Sequence, residues 1–352
     1  METEKKGKSL YIGIDVHKRQ WSVSIFTEVI HHKTFSQGPQ PEVLKSYLDK
    51  YFSDYQVHCA YEASKFGFWI QRKFTSYGYS CIVVNPADIP TTNKESSEKT
   101  DPVDSRKIAK SLRGGLLRGI HVPDLELEGH RQLFRYRKRL WSDLVRVKNR
   151  IKDKLINTGV GIPVEYDNPY WSKSFIKWLR QVEFPSSSTR VVMDLLLEQY
   201  EGIRLHFLKT SVAVRKLQRH PRYKRDAKLL RQIPGIGPLT TVQLLVEIGE
   251  INRFPNFRKF NSYIGLKPMT HSSGDNDRKG YMTYRSHQGL RSSIVECAWT
   301  AVQRDPVLLQ SYEQFQSNHT KKRAIVKVAR KLLSRVYHVL KTKEEYVEGV
   351  LV

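Results

Sequence analysis

From residue 9 to about residue 86, strand-like and helix-like patterns alternate, and no other feature restricts the fold of this chain so tightly. The apolar run Tyr11-Ile12-Gly13-Ile14 ends in Asp15 and resumes after a polar turn as Trp21-Ser22-Val23-Ser24-Ile25-Phe26. This reads as a hairpin with a carboxylate on its first strand. A third strand is predicted over Val29 to Phe35, followed by helical spacing through Val43, Leu44, Tyr47 and Leu48. Residues 57–61 and 79–84 read as buried strands, flanking a helix from about Phe66 to Tyr77. Three early strands followed by α/β alternation predict a mixed sheet with helices packed on it.

That order of elements is the one found in ribonuclease H-like nucleases, although other α/β folds share it. Beyond it, residues 91–99 form a polar stretch that reads as a surface loop, and Asp101 to Leu116 reads as a helix ending near Gly119. Next, Leu133, Leu140, Leu144, Val147, Ile151 and Leu155 recur at steps of three, four or seven among many Arg and Lys residues. A long amphipathic helix with one apolar seam and basic flanks follows from that spacing. A second helical stretch, about Thr189 to Gln218, offers Val192, Leu195, Leu196, Ile203, Leu208, Val212 and Leu217 as an opposing seam. The Pro/Trp/Ser-rich segment between them lets the chain reverse, so an antiparallel coiled coil or helical stalk is predicted; intermolecular pairing is equally allowed. The last third opens on Ile233-Pro234-Gly235-Ile236-Gly237 between two helical patterns. This helix-hairpin-helix-like pattern would offer the amides of Gly235 and Gly237 to a phosphate; a tight turn without a ligand is the alternative. The expected organisation is an α/β domain over 1–122, a helical stalk over 123–224 and a mainly α domain over 225–352. A chain of 352 residues suits two or three domains.

With 60 Lys+Arg against 35 Asp+Glu, the formal charge is +25 and the pI about 9.9. An excess of this size is an electrostatic footprint for nucleic acid, where counterion release drives binding. No apolar stretch approaches the roughly 20 residues needed to span a bilayer, and the first residues lack a signal peptide's apolar core. Cys59, Cys81 and Cys297 are scattered, fit a reducing compartment and make no zinc-ligand spacing. A soluble, intracellular protein without membrane attachment is expected.

Two segments answer Asp15. Glu62 ends a strand predicted to be central, and the three-residue spacing of Asp101 and Asp104 at a helix start places both on nearly one face. Taken singly, Asp15 would be a turn-former, Glu62 a surface acid and Asp101 a helix cap. Together, four carboxylates in a protein built to attract polyanions would repel one another unless they held a divalent cation. Hard oxygen donors suit Mg2+ or Mn2+, and two such ions can stabilise both oxygens of a phosphoryl transfer. A separate polar loop contains Ser272-Ser273-Gly274, followed by Arg278, Lys279 and Arg285. It could present a hydroxyl to a phosphodiester, but from spacing alone a flexible turn is the commoner outcome.

The segments 11–18, 61–64, 99–106, 233–237 and 263–268 with Ser272-Ser273-Gly274 resemble, in order, the motifs of DEDD-type insertion-sequence transposases related to the Piv DNA invertase. The resemblance covers almost the whole chain. It implies a RuvC-like N-terminal domain, a coiled coil and a C-terminal transposase domain bearing a nucleophilic serine. By position the acidic tetrad is Asp15, Glu62, Asp101 and Asp104, acting through Mg2+, and the serine is Ser273, with Ser272 as its rival. The resemblance further implies a phosphoserine link to DNA, a composite site shared between subunits, and a dimer assembling to a tetramer. It implies donor and target DNA as partners, a bridge RNA as guide, and a cytoplasmic, nucleoid-associated place in a prokaryote. Ser105 stands where alanine is frequent and His17 where a small polar residue is frequent; neither is expected to touch the ligands. The acidic Asp275-Asn276-Asp277 departs from the usual basic run, and His271 is a candidate proton relay or a surface histidine.

Arg135, Arg139, Arg146, Lys148 and Arg150 on the long helix are candidate nucleic-acid contacts, with Gly235, Gly237, Arg278, Lys279 and Arg285. Basic residues near the C-terminus, including Lys321, Lys322, Arg323, Lys327, Arg330 and Lys331, join them; a solvated helix face is the alternative for each. Two rival functions remain: a junction-resolving nuclease that hydrolyses DNA with the tetrad alone, and a non-catalytic nucleic-acid-binding scaffold.

Overall fold

The structure is a computed structural model; it describes residues 8–91, 100–168, 170–273 and 276–347, and within 268–281 the backbone alone. Contacts divide the chain into one unit of residues 1–122 and another of residues 123–352.

In the first unit, β1 (Ser9–Val16), β2 (Trp21–Thr27), β3 (His31–Gln37), β4 (Gln56–Glu62) and β5 (Ser80–Val84) form one sheet in the order β3-β2-β1-β4-β5. Neighbours among the first three strands run antiparallel, whereas β4 is parallel to β1 and β5 to β4. The predicted mixed sheet is therefore observed. β3 starts two residues later than predicted, because Val29 and Ile30 lie exposed in the preceding turn. Side chains alternate across the strands. Leu10, Ile12, Ile14, Trp21, Val23, Ile25, Cys59 and Tyr61 pack with Leu44 and Leu48 of α1 (Pro41–Tyr51) and with Ile70 and Phe74 of α2 (Trp69–Ser76). The opposite face receives α3 (Asp101–Arg113), whose Ile108 packs with Ala60 of β4 and Val84 of β5. The predicted extension of α3 to Leu116 is not observed; the helix stops before Gly114 and Gly115, and Leu116 is exposed.

Two sequence details set how closely α3 sits. A Cβ on Gly13 would stand 2.1 Å from the Ser105 carbonyl oxygen and 2.4 Å from the Ala109 nitrogen, so only glycine admits the helix backbone here. Beside it, Ser105 Oγ lies 3.1 Å from Ser22 Oγ and 2.9 Å from Ser24 Oγ, and Ser24 Oγ lies 2.8 Å from Thr34 Oγ1. This buried hydroxyl chain ties α3 to β2 and β3, which gives the unusual Ser105 a partner-satisfied role.

The second unit is built on two long helices, α4 (Leu125–Asn157) and α6 (Ser187–Lys216), with the short α5 (Lys173–Gln181) between them. Asp124 caps α4 by accepting from the Leu127 amide at 2.8 Å, and the Arg222 guanidinium binds both its oxygens. That hydrogen bonding holds the Asp124 carboxyl down at about 2. Contacts pair Arg137 with Ser211, Trp141 with Phe207 and Lys148 with Tyr200, so α4 and α6 run antiparallel.

On α4 the predicted seam is buried at Leu140, Leu144, Val147, Ile151 and Leu155, and Leu133 is partly buried. The seam assigned to α6 needs correction. Met193, Leu197, Tyr200 and Val214 face inward, whereas Val192, Leu195, Leu208 and Val212 are exposed. Leu196 and Ile203 pack at the margin and Leu217 is buried. This helix carries apolar residues on two faces, and periodicity alone does not say which of them meets a partner.

The remaining helices are α7 (Lys224–Gln232), α8 (Pro238–Ile248), α9 (Phe257–Ile264), α10 (Gln288–Val302), α11 (Pro306–Gln316) and α12 (Lys321–Thr342). Between α9 and α10 lies a hairpin, β6 (Pro268–Ser273) and β7 (Asn276–Met282), paired antiparallel. One hydrophobic core joins these helices to Leu127 and Phe134 of α4 and to Val214 of α6. Residues on both sides of position 224 thus share a single core.

Candidate active site

Strand alternation puts Gly13 and Asp15 of β1 on the face that meets α3. On β4, Ala60 packs toward α3, and Glu62 follows on the same face two residues later. Parallel pairing of Ile14 with Tyr61 sets Asp15 and Glu62 at neighbouring levels of adjacent strands. The first turn of α3 supplies Asp101 and Asp104, where the helix N-terminus favours negative charge. Thr100, not Asp101, occupies the cap position.

Burial raises the Asp15 carboxyl above its ordinary value; His17 opposes this, and the charges of Asp101 and Asp104 add to it. Asp15, Asp101 and Asp104 therefore lie near enough to repel one another. Asp104 is nearly buried and bonds the equally sheltered Lys107, whose Nζ lies 2.8 Å from Oδ1. His17 Nε2 lies 3.1 Å from Asp15 Oδ2 and 3.5 Å from Asp101 Oδ1. The expectation that His17 does not touch the acidic residues is thus corrected. Two residues apart on an extended segment, Asp15 and His17 turn to the same side. Lys107 and His17 are the partners that the sequence reading missed; the spacing 104–107 on a helix and the closeness of 17 to 15 at the end of β1 were the available signals.

Among the described residues, one ligand atom each from Asp15, His17 and Asp101 lie within 4.8 Å of one another. Carboxylate oxygens brought together in this arrangement, beside a half-buried carboxyl, fit a divalent cation such as Mg2+ or Mn2+.

A second charged cluster lies in the helical unit. Glu247 is 3 % exposed and accepts two bonds from Arg135, at 2.8 and 2.6 Å, with His287 Nε2 at 3.2 Å. Burial alone would raise its carboxyl, but the bonds and charges of His287 and Arg135 hold it down at about 2. Arg135, read as a nucleic-acid contact, has both ends of its fork engaged here. Of the other candidates on α4, Arg146 pairs with Asp143, Arg139 lies over the Tyr136 ring, and Lys148 lies over the rings of Trp171 and Tyr200. Arg150 is exposed.

At the turn before α8 the two glycines separate in role. Gly235 has φ +86°, and a Cβ there would stand 2.4 Å from the Cys297 carbonyl oxygen, so it serves helix packing against α10. Its backbone also lines the cavity beside Gly237. Gly237 has open space and precedes α8, beside a cavity of about 490 Å³ lined by Arg231, Thr300 and Arg304. Arg285 is exposed. Ser272 and Ser273 end β6, with Ser273 opposite Asn276 in the register. Their side chains, and those of His271, Arg278 and Lys279, lie outside the described residues, as do Gly274 and Asp275 altogether.

Residues 12–158 match a DEDD transposase family model, and residues 227–313 match the transposase family IS116/IS110/IS902. Both matches are to transposase families, and the chain is similar over these two segments to the IS110/IS116 DEDD transposases. It is 27 % identical over 246 residues to a putative transposase of Sinorhizobium fredii, covering 69 % of this chain and 58 % of that one. With the transposase for insertion sequence element IS1533 of Leptospira borgpetersenii it shares 26 % over 261 residues, covering 71 % and 73 %. A pilin gene-inverting protein of Moraxella bovis is 32 % identical over 129 residues, 36 % of this chain and 40 % of that one. The first of these matches spans less than two thirds of its relative's length. The DEDD match over residues 12–158 fits a RuvC-like fold for the mixed sheet and implies use of a divalent metal. No helix among the described residues is long and apolar enough to cross a membrane.

Proposed function

We propose that the chain is the transposase of an insertion sequence, cutting and rejoining DNA with Asp15, Glu62, Asp101 and Asp104 as its Mg2+-holding tetrad and Ser273 as nucleophile. The observation that carries this reading is the meeting of Asp15 and Asp101 around His17, with Asp104 close enough to act on Asp15. A bound divalent ion would supply positive charge to the phosphate under attack. The tetrad carboxylates hold and orient it. Ser273 Oγ attacks the scissile phosphorus, its proton passing to a nearby base, while a sugar oxygen departs and is protonated. A serine–phosphate ester then conserves the bond energy for rejoining.

The reading includes donor and target DNA, a bridge RNA as guide and a dimer that assembles to a tetramer; the family resemblance and the net charge of +25 support these partners. The exposed bases of α4 and the cavity beside Gly237 supply phosphate contacts. A second reading, hydrolysis by the acidic tetrad alone, is favoured by the RuvC-like placement of the carboxylates. Covalency separates the two. Denaturing gels of the full-length protein with element-end DNA should show a protein–DNA adduct that Ser273→Ala abolishes and Ser272→Ala retains. Undiminished cleavage by Ser273→Ala would establish the hydrolytic reading instead.

A further inference from the structure

We propose that His17 is itself a ligand of the metal held by the acidic site, and that it moves the preference of that site from Mg2+ toward Mn2+. This rests on the reading of Asp15 and Asp101 as metal ligands.

The acidic cluster is divided by its counter-charges. Asp104 is bonded to Lys107 in a sheltered pair, which leaves Asp15 and Asp101 as the open side, and both of these approach one atom, His17 Nε2. An exposed ion pair between histidine and carboxylate contributes little to stability, so fold maintenance is a weak reason for this geometry. The separations have a chemical meaning. Two adjacent ligands of an octahedral ion, each about 2.1 Å from it, stand about 3 Å apart. His17 Nε2 stands 3.1 Å from one carboxylate oxygen and 3.5 Å from the other. His17 Nε2 is thus spaced from each carboxylate as an adjacent ligand would be, and all three donors lie within 4.8 Å of one another, with Asp15 mostly buried and the His17 and Asp101 side chains open to solvent for an ion to enter. Binding would use the neutral imidazole with its proton on Nδ1.

An imidazole in place of an oxygen donor has a predictable consequence. Mg2+ strongly prefers oxygen, whereas Mn2+ lies further along the series in which affinity for nitrogen donors rises. A site formed by carboxylates alone would lack that bias.

The test uses the full-length protein and Mn2+ as the probe. Pulsed electron paramagnetic resonance of bound Mn2+ should show the hyperfine modulation of a directly coordinated imidazole nitrogen. His17→Gln should remove that modulation and weaken Mn2+ binding about tenfold, with a smaller change for Mg2+. Asp15→Asn should lose binding of either ion. Bound Mn2+ that responds to Asp15→Asn but shows no nitrogen coupling overturns the inference and leaves the acidic site standing. Nitrogen coupling that persists in His17→Gln also overturns it. Failure of Mn2+ to bind in any manner sensitive to Asp15 overturns both the inference and the metal reading beneath it.

Discussion

Glu247 in the helical unit and the acids around Asp15 in the sheet unit face opposite electrostatic problems. Around Glu247, one buried acid meets a forked arginine and a histidine, and its carboxyl is held at about 2. Around Asp15, several acids crowd one another, and the Asp15 carboxyl is raised. The first cluster is neutralised by the protein's own cations and joins α4, α8 and the start of α10. The second is only partly neutralised, by Lys107, and remains suited to a cation from solution. An acid that its own fold fully satisfies reads as structural, and a group of acids left in mutual repulsion reads as a site.

Changes that trade one condition for the other should separate the clusters. The largest effect is expected for Asp101→Asn, with strand cleavage falling about 10²- to 10³-fold while the thermal unfolding midpoint holds or rises as repulsion is relieved. A large loss of stability instead would make Asp101 structural. Glu247→Gln should do the reverse, costing about 2 kcal/mol in urea unfolding through the lost charge-assisted bonds, a figure held down because Arg135 is half exposed and can be solvated. The pH dependence carries the same sign. The Glu247 carboxyl falls from an ordinary 4.5 to about 2 on folding, so its contribution is complete above 4.5 and is lost as the pH falls through about 2. Acid titration of Glu247→Gln should lack that component. Gly13→Ala should displace α3 from β1, costing about 2 kcal/mol and weakening Mn2+ binding without altering any ligand. The smallest effect, about 1 kcal/mol, is expected for Ser105→Ala, which leaves the buried Ser22 hydroxyl short of a partner.

Much of the first unit was legible because its signals are local. Strand alternation, the turn at 17–20 and the 101–104 spacing each lie within one element, and the sheet carries them to one face. What the sequence did not reveal lay where a residue had two possible neighbours. On α6, Leu195 and Met193 are equally apolar, and only the approach of α4 and α5 buries Met193. Arg135 looked like its basic neighbours until α8 placed Glu247 beneath it.

By itself the sequence determined the alternation that makes the sheet, the chemistry of the four acids, the seam of α4 and the large positive charge, because composition and periodicity act along the chain. Tertiary structure alone decided which acids are satisfied. Arg135 takes Glu247, and His17, beside Asp15 along the chain, meets Asp101 as well. Charge and packing act through space, across distances of a few ångströms that separations of 84 or 112 residues along the chain do not reveal.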